Sequence, residues 1–229
     1  MNTLYIANKT YSSWSLRPWV LMKHLGILFD EELIPFVTGG SSRDKYRAYS
    51  PSGKLPCLHT PEGLVWDSLA ITEHLADTYP EVWPRDRRER AWARSATAEM
   101  HTGFARLREV CSMNCCIEVR LHQVDAALQA DLDRLQALWN EGLQRFGGPF
   151  LAGDTFTAVD AFFCPVAFRV RTYGLLLDEP CMAYVDRLLA LPAMQEWQRE
   201  ALAEAWIEPD HEAACLLHGT LIRDRRPGR

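Results

Sequence analysis

Three short segments carry the side chains most capable of chemistry. In Tyr11-Ser12-Ser13-Trp14-Ser15-Leu16-Arg17, three hydroxyls and an arginine follow an apolar stretch and open a periodic one. They therefore surround a helix N-terminus, where free backbone N–H groups and the positive end of the helix dipole favour an anion. Serine at such a place also serves as a plain cap; Ser15 fits that part, with Ser12 and Ser13 in turns. In Lys54-Leu55-Pro56, a proline opens an apolar run, a position confined to sheet edges, bulges or tight turns, with a cis bond available. A cis bond would turn the Leu55 N–H and C=O outward, able to pair with an extended, peptide-like ligand. Asp67-Ser68 opens another helical pattern. Asp67 there meets an ammonium group, while Ser68 and the helix N–H groups meet a carboxylate, so the pair can hold both ends of an amino acid. The competing reading makes Ser68 an ordinary cap, without a capping box because Ile71 stands three residues on.

Other candidates resolve differently. Thr157 and Asp160 have capping-box spacing with Phe156 at the staple position, which reads as structural. Cys-x-x-Cys, the signature of a thiol-disulfide exchanger, does not stand at the first turn; Ser12-Ser13-Trp14-Ser15 does. Cys111, Cys115, Cys116 and His122 lack the paired Cys-x2-Cys spacing of a zinc site, so no metal is expected.

The elements that must position these groups follow from periodicity. Residues 4–7 read as a strand, 15–25 as a helix and 29–36 as a strand. Residues 37–53 read as a polar loop, 56–60 and 64–66 as a hairpin around Pro61-Glu62-Gly63, and 68–79 as a helix. This β-α-β, β-β-α order suits a small mixed sheet with helices on its faces. Residues 79–84 hold two prolines and form the linker. Beyond them residues 85–112, 122–146, 158–174, 181–190 and 192–205 all carry helical spacing, so the remainder reads as all-α, with residues 223–229 a solvated basic tail.

Composition agrees with a globular chain: 229 residues, 48% hydrophobic and 24% charged, with a formal charge of −5 that argues against nucleic acid as a partner. No apolar run is long enough to span a bilayer, and the N-terminus lacks the pattern of a secretory signal. Seven cysteines, an odd number set in or near apolar runs, fit free thiols in a reducing cytoplasm.

Taken together and in this order, the Ser-Ser-x-Ser-x-Arg stretch (12–17), Lys-Leu-Pro-Cys-Leu (54–58), Asp-Ser-Leu-Ala-Ile (67–71) and the capping motif at 153–160 resemble the cytosolic glutathione S-transferase family, over residues 4–205. The first stretch looks closest to its zeta-like, serine-type members, some of which are maleylacetoacetate isomerases; those usually carry cysteine where Trp14 stands. The resemblance implies a thioredoxin-like glutathione-binding domain (1–79), a linker (80–86) and a helical-bundle domain (87–229), usually in a homodimer with two sites. It implies that Ser12 holds the glutathione sulfur with Ser13 as its close understudy, and that Ser15, Lys54, Leu55, cis-Pro56, Asp67 and Ser68 complete the glutathione site. A small hydrophobic electrophile would lie between the domains, over one long helix at 87–111, against Trp14, His101, Phe104 and Arg108. His101 and Arg108 are seven residues apart and share a face of such a helix, although packing roles serve these residues equally well. The activity implied is detoxifying transfer of glutathione to that electrophile; glutathione-dependent cis-trans isomerisation and non-catalytic glutathione binding are the alternatives.

Overall fold

Short apolar runs separated by turn residues make the first third of the chain alternate strand and helix. In the computed structural model, which describes residues 1–228, β1 (Asn2–Ile6) leads into α1 (Ser13–His24) and β2 (Phe29–Leu33). A short α2 (Arg43–Tyr46), β3 (Cys57–Thr60), β4 (Gly63–Val65) and α3 (Ser68–Thr78) follow. The strands form one mixed sheet in the order β2-β1-β3-β4, with β1 parallel to β2 and antiparallel to β3. This is the mixed four-stranded sheet expected; α2 interrupts the stretch 37–53, which local composition reads as loop.

Beyond residue 80 come α4 (Arg87–Thr102), α5 (Ala105–Val110), β5 (Ile117–Leu121) and α6 (Ala126–Phe146). Then follow α7 (Ala158–Tyr173), α8 (Glu179–Ala190), α9 (Pro192–Ala203), α10 (Pro209–Leu216) and β6 (Gly219–Asp224). Helices dominate, as expected, but three local readings need correction. The single helix at 87–111 is broken: Gly103 caps α4, where an added Cβ would sit 2.8 Å from the Glu99 carbonyl oxygen, and Phe104 turns left-handed at φ 55°. The helical part also contains a two-stranded antiparallel sheet, β5 with β6. And the basic tail is not solvated throughout. Arg226 is buried, pairing with Glu212 at 2.9 Å and Asp224 at 2.7 Å, while Arg225 pairs with Glu118 at 2.6 Å.

The core is organised around α7, buried along almost its whole length, against which α1, α4, α8 and β5 pack. Asp160 is buried at its start and accepts from Thr157 N at 2.9 Å, Leu151 N at 3.0 Å and the Tyr184 hydroxyl at 2.8 Å. The structural reading of that capping box is therefore what the fold contains.

One set of contacts bears directly on the site. Lys9, buried in the β1–α1 loop, pairs with Glu31 at 2.7 Å and with Glu200 of α9, between the rings of Trp19 and Trp197. Glu204, at the end of α9, accepts from Lys9 N at 2.5 Å and from the Thr10 hydroxyl at 2.7 Å. Trp197 Nε1 donates to the Lys9 carbonyl at 2.8 Å. The loop that delivers Ser12 is thus held from the C-terminal helices by the buried Lys9 ammonium and by hydrogen bonds to Glu204 and Trp197.

Candidate active site

The chain leaves β1 through a turn in which Tyr11 N and Ser12 N both donate to the Asn8 carbonyl. Ser12 then caps α1: its Oγ accepts from Ser15 N at 3.3 Å and donates to Ser15 Oγ at 2.8 Å. Ser15 Oγ also accepts from Ala7 N at 3.1 Å and is fully buried. Two sequence readings change here. Ser12, not Ser15, is the cap, and Ser15, expected at the glutathione site, ties the helix start to the end of β1 and borders neither cavity of the site. The Ser13 hydroxyl has no hydrogen-bond partner among the described residues and borders a cavity of about 440 Å³, together with Ser12, Trp14, Lys54 and Leu55.

Leu55 stands beyond Tyr5↔Cys57, the end of the β1–β3 ladder, so its backbone lies outside the ladder, and the Leu55–Pro56 bond is cis. Trp14, Lys54 and Leu55 also border a second cavity of about 370 Å³, which continues past Pro56 to Asp67 and Ser68. The two cavities meet at Trp14, Lys54 and Leu55, so together they line a cleft from the start of α1, past the entry to β3, to the start of α3. At the far end Asp67 is the helix cap, its Oδ1 accepting from Leu69 N at 2.9 Å. That corrects the reading of Ser68 as the cap: Ser68 is the first helical residue, and its buried Oγ has no partner among the described residues.

Of the four residues expected against an electrophile, only Trp14 borders the cleft. His101 lies behind it, with Nε2 3.2 Å from Asp67 Oδ2 and its ring edge-on to Trp14 at 5.2 Å. Burial lowers the His101 pKa, Asp67 opposes the shift, and Arg17 and Arg108 add to it. The helix break accounts for the other two. Phe104 is turned into the core, and Arg108 folds back to donate to the carbonyls of Met100 and His101, its guanidinium 5.0 Å from the Trp14 ring.

The sequence reading missed the cluster of arginines behind the cleft. Arg17 is buried with its guanidinium 4.1 Å from the Trp14 ring and 4.8 Å from Phe162, and its Nε and Nη1 have no partner among the described residues. Burial, with Arg108 and Arg169 adding to it, pulls Arg17 well below the ordinary arginine value, and only Asp67 opposes. Arg169 of α7 borders the first cavity, and its Nη1 donates to the Cys111 carbonyl. An arginine inside the near-continuous apolar run of α7 was the available signal. His211, which also borders this cavity, had none. Among the described residues no group of three or more His, Cys, Asp or Glu is arranged to hold a metal, and no helix is long and apolar enough to cross a membrane.

The comparisons with known proteins fall on the same features. The family model for the glutathione S-transferase N-terminal domain matches residues 11–78. A probable maleylacetoacetate isomerase of Caenorhabditis elegans is 24% identical over 200 residues, 83% of this chain and 89% of that one. The maleylacetoacetate isomerase of Rattus norvegicus is 23% identical over 201 residues, 84% and 89% of the two chains. Among solved structures, a glutathione transferase homologue from Burkholderia gl BGR1 with bound glutathione superposes with a TM-score of 0.64 at 23% identity, covering 87% of this chain and 97% of that one. A tau class glutathione S-transferase from mango gives 0.66 at 19% identity, with 94% and 96% covered. These two likenesses show a shared fold.

Proposed function

We propose, from the premise that this chain belongs to the glutathione S-transferase family, that it transfers glutathione to a small hydrophobic electrophile. The observation that carries the reading is the continuous cleft, whose two ends offer complementary groups. Asp67 and Ser68 suit the ammonium and carboxylate of a γ-glutamyl group, Leu55 suits the tripeptide backbone with Lys54 beside it, and the free Ser13 hydroxyl suits the sulfur, as does Ser12 once its proton turns from Ser15. Residues 1–79 then act as the glutathione-binding domain, 80–86 as a linker and 87–229 as the domain that closes the electrophile side. A homodimer in the cytoplasm and a detoxifying role complete the proposal.

The chemistry divides into activation and positioning. A thiol with a pKa near ~8.5 is roughly 3% ionised at pH 7. A seryl donor, a helix N-terminus and the nearby arginines that together lower it by about two units would raise that roughly 25-fold. Nucleophilicity falls with basicity at a slope near ~0.5, which takes back about tenfold. The net gain is a few-fold, so holding the electrophile against the sulfur supplies the larger part of the rate.

Replacing Ser12 by alanine should lower kcat/KM for glutathione conjugation of an aryl halide by about tenfold or more, with little change in glutathione affinity. An unchanged rate would remove Ser12 from the chemistry. Glutathione binding without turnover in the parent protein would favour a non-catalytic member of the family. The named isomerase relatives support a second reading, glutathione-dependent cis-trans isomerisation. Conversion of a cis-enone to its trans isomer without net loss of glutathione would favour it.

A further inference from the structure

The wall of the first cavity formed by α10 carries a histidine–carboxylate pair that the reading so far does not use. His211 stands in the first turn of α10 and Glu208 caps that helix. Glu208 Oε2 accepts from His211 N at 2.8 Å and meets His211 Nδ1 at 2.6 Å. The Glu208 side chain is 6% exposed; burial pushes its carboxyl up, but hydrogen bonds led by that from His211 bring it below its ordinary value. The imidazole packs against Phe36 at 4.4 Å and Tyr11 at 5.1 Å, so its orientation is fixed from two other segments. With Nδ1 committed to Glu208, Nε2 has no partner among the described residues, and His211 borders the same cavity as Ser12 and Ser13.

The other titratable groups around that cavity are poor proton carriers at neutral pH. The Tyr11 hydroxyl is tied up, donating to Glu212 at 2.7 Å and accepting from Glu208 N at 3.3 Å, and burial holds it far above the usual phenol range. Tyr46 donates to the Ile34 carbonyl at 3.2 Å and is pushed up to about 12. Arg43 and Lys54 are cationic side chains, and burial lowers Arg169 only to about 10, still well above neutral pH. Histidine is the side chain whose proton exchanges in this range, and a carboxylate on Nδ1 fixes the ring so that Nε2, which carries a proton when the ring is protonated, faces outward.

We propose that the Glu208–His211 pair is a general acid for conjugate addition of glutathione to α,β-unsaturated carbonyl compounds. This deepens the transferase reading and rests on it. The thiol proton leaves to solvent, and the sulfur lone pair forms the S–C bond at the β-carbon. The C=C π pair moves toward the carbonyl, whose oxygen takes the proton from His211 Nε2. The resulting enol returns to the ketone by proton exchange with water, and His211, partly exposed, recovers its proton from solvent. The sum is addition of S–H across C=C, with no oxidant or reductant. Displacement of halide from a nitroaryl halide places its charge on the ring and on the leaving halide, so it draws on this acid far less.

The test compares an enone with an aryl halide in one set of proteins. His211→Phe keeps a ring packed between Phe36 and Tyr11 but carries no proton. It should reduce the ratio of enone to aryl halide kcat/KM by at least about tenfold, the modest end for general acid catalysis. Glu208→Gln, which keeps the imidazole, should reduce the same ratio by about threefold to fivefold. Equal losses on both electrophiles in the two variants, or no loss, would overturn the acid role while leaving the transferase reading intact. No turnover of either electrophile by the parent protein would overturn both.

Discussion

At the α1 end of the cleft, Ser12 and Ser13 are 6% and 9% exposed and lie near Arg17, which is buried without a hydrogen-bonded acid. At the α3 end the acid is Asp67, whose side chain is 52% exposed, beside a buried and unpartnered Ser68 hydroxyl. The first end is lined by Arg43, Lys54 and Arg169, where a negative charge is favoured; the second carries an exposed carboxylate, where an ammonium group is favoured. Glutathione carries the matching polarity, a thiolate at one position and an α-ammonium at the other. The difference teaches that the cleft has a built-in direction: a tripeptide entering reversed puts its terminal carboxylate, not its ammonium, against Asp67. Binding strength then belongs mainly to the α3 end, and reactivity to the α1 end.

The sharpest way to break that division is at Asp67. Asparagine caps a helix as well as aspartate does, so Asp67→Asn keeps α3 intact and removes the charge. Glutathione Kd should rise by about tenfold, in line with a charge-assisted hydrogen bond of about 1.5–3 kcal/mol partly screened by solvent. The kcat at saturating glutathione should change little. Calorimetry with the tripeptide and with a version lacking the α-amino group checks it. A variant that discriminates between the two as well as the parent does would show that Asp67 does not meet the ammonium.

A smaller effect should follow at the other end. Arg17→Met removes a buried cation whose Nε and Nη1 are unpaired, and replacement of such a group by an apolar side chain of similar size is often neutral or stabilising. Thermal stability should therefore be kept. The pKa of bound glutathione, followed by thiolate absorbance, should rise by about one unit, the effect of a charge acting across roughly 10 Å at an effective dielectric near 20. Loss of the cation disfavours the thiolate, so below neutral pH the conjugation rate should fall a few-fold and recover as pH rises. A titration curve identical to the parent's would take Arg17 out of the electrostatics of the sulfur.

How much of this was legible in the sequence differs between the two parts of the fold. The sheet could be read because its signals are local: alternation in β1, the turn at Pro61-Glu62-Gly63, and Pro56 at the mouth of β3. The groups on one cleft could be read because Ser12, Lys54 and Asp67 each mark the start or edge of an element. Beyond residue 80 the same reasoning fails where partners are distant. β5 alternates apolar and charged residues from Ile117 to Leu121, a strand signal that the all-α reading passes over, whereas β6 does not alternate and is a strand because it pairs with β5 across about a hundred residues. The Gly103-Phe104 break was hidden because a single glycine inside a long periodic run reads as a tolerated cost of about 1 kcal/mol. His211 reaches the cavity only because α10 folds back over Tyr11 and Phe36, which no local pattern reports.

The finest test of the division concerns His101, expected from sequence at the electrophile wall and found behind Asp67. Its Nε2 lies 3.2 Å from Asp67 Oδ2, while Oδ1 of the same carboxylate caps α3. Burial, reinforced by Arg17 and Arg108, lowers the pKa of His101 below its ordinary value, with Asp67 opposing, so near neutral pH the ring is uncharged and orients Asp67 by a neutral hydrogen bond. Such a bond contributes about 0.5–1.5 kcal/mol. His101→Ala should therefore weaken glutathione binding by only about threefold, less than Asp67→Asn. It should leave the enone to aryl halide ratio at the parent value, because His101 borders neither cavity. Since the charged form is disfavoured in the folded protein, the Kd difference between parent and variant should stay constant from neutral pH upward. A Kd unaffected by the substitution would mean that the helix cap alone holds Asp67 in place. A larger change in the electrophile ratio than in Kd would return His101 to the wall of the reaction cavity and dissolve the distinction between the two ends.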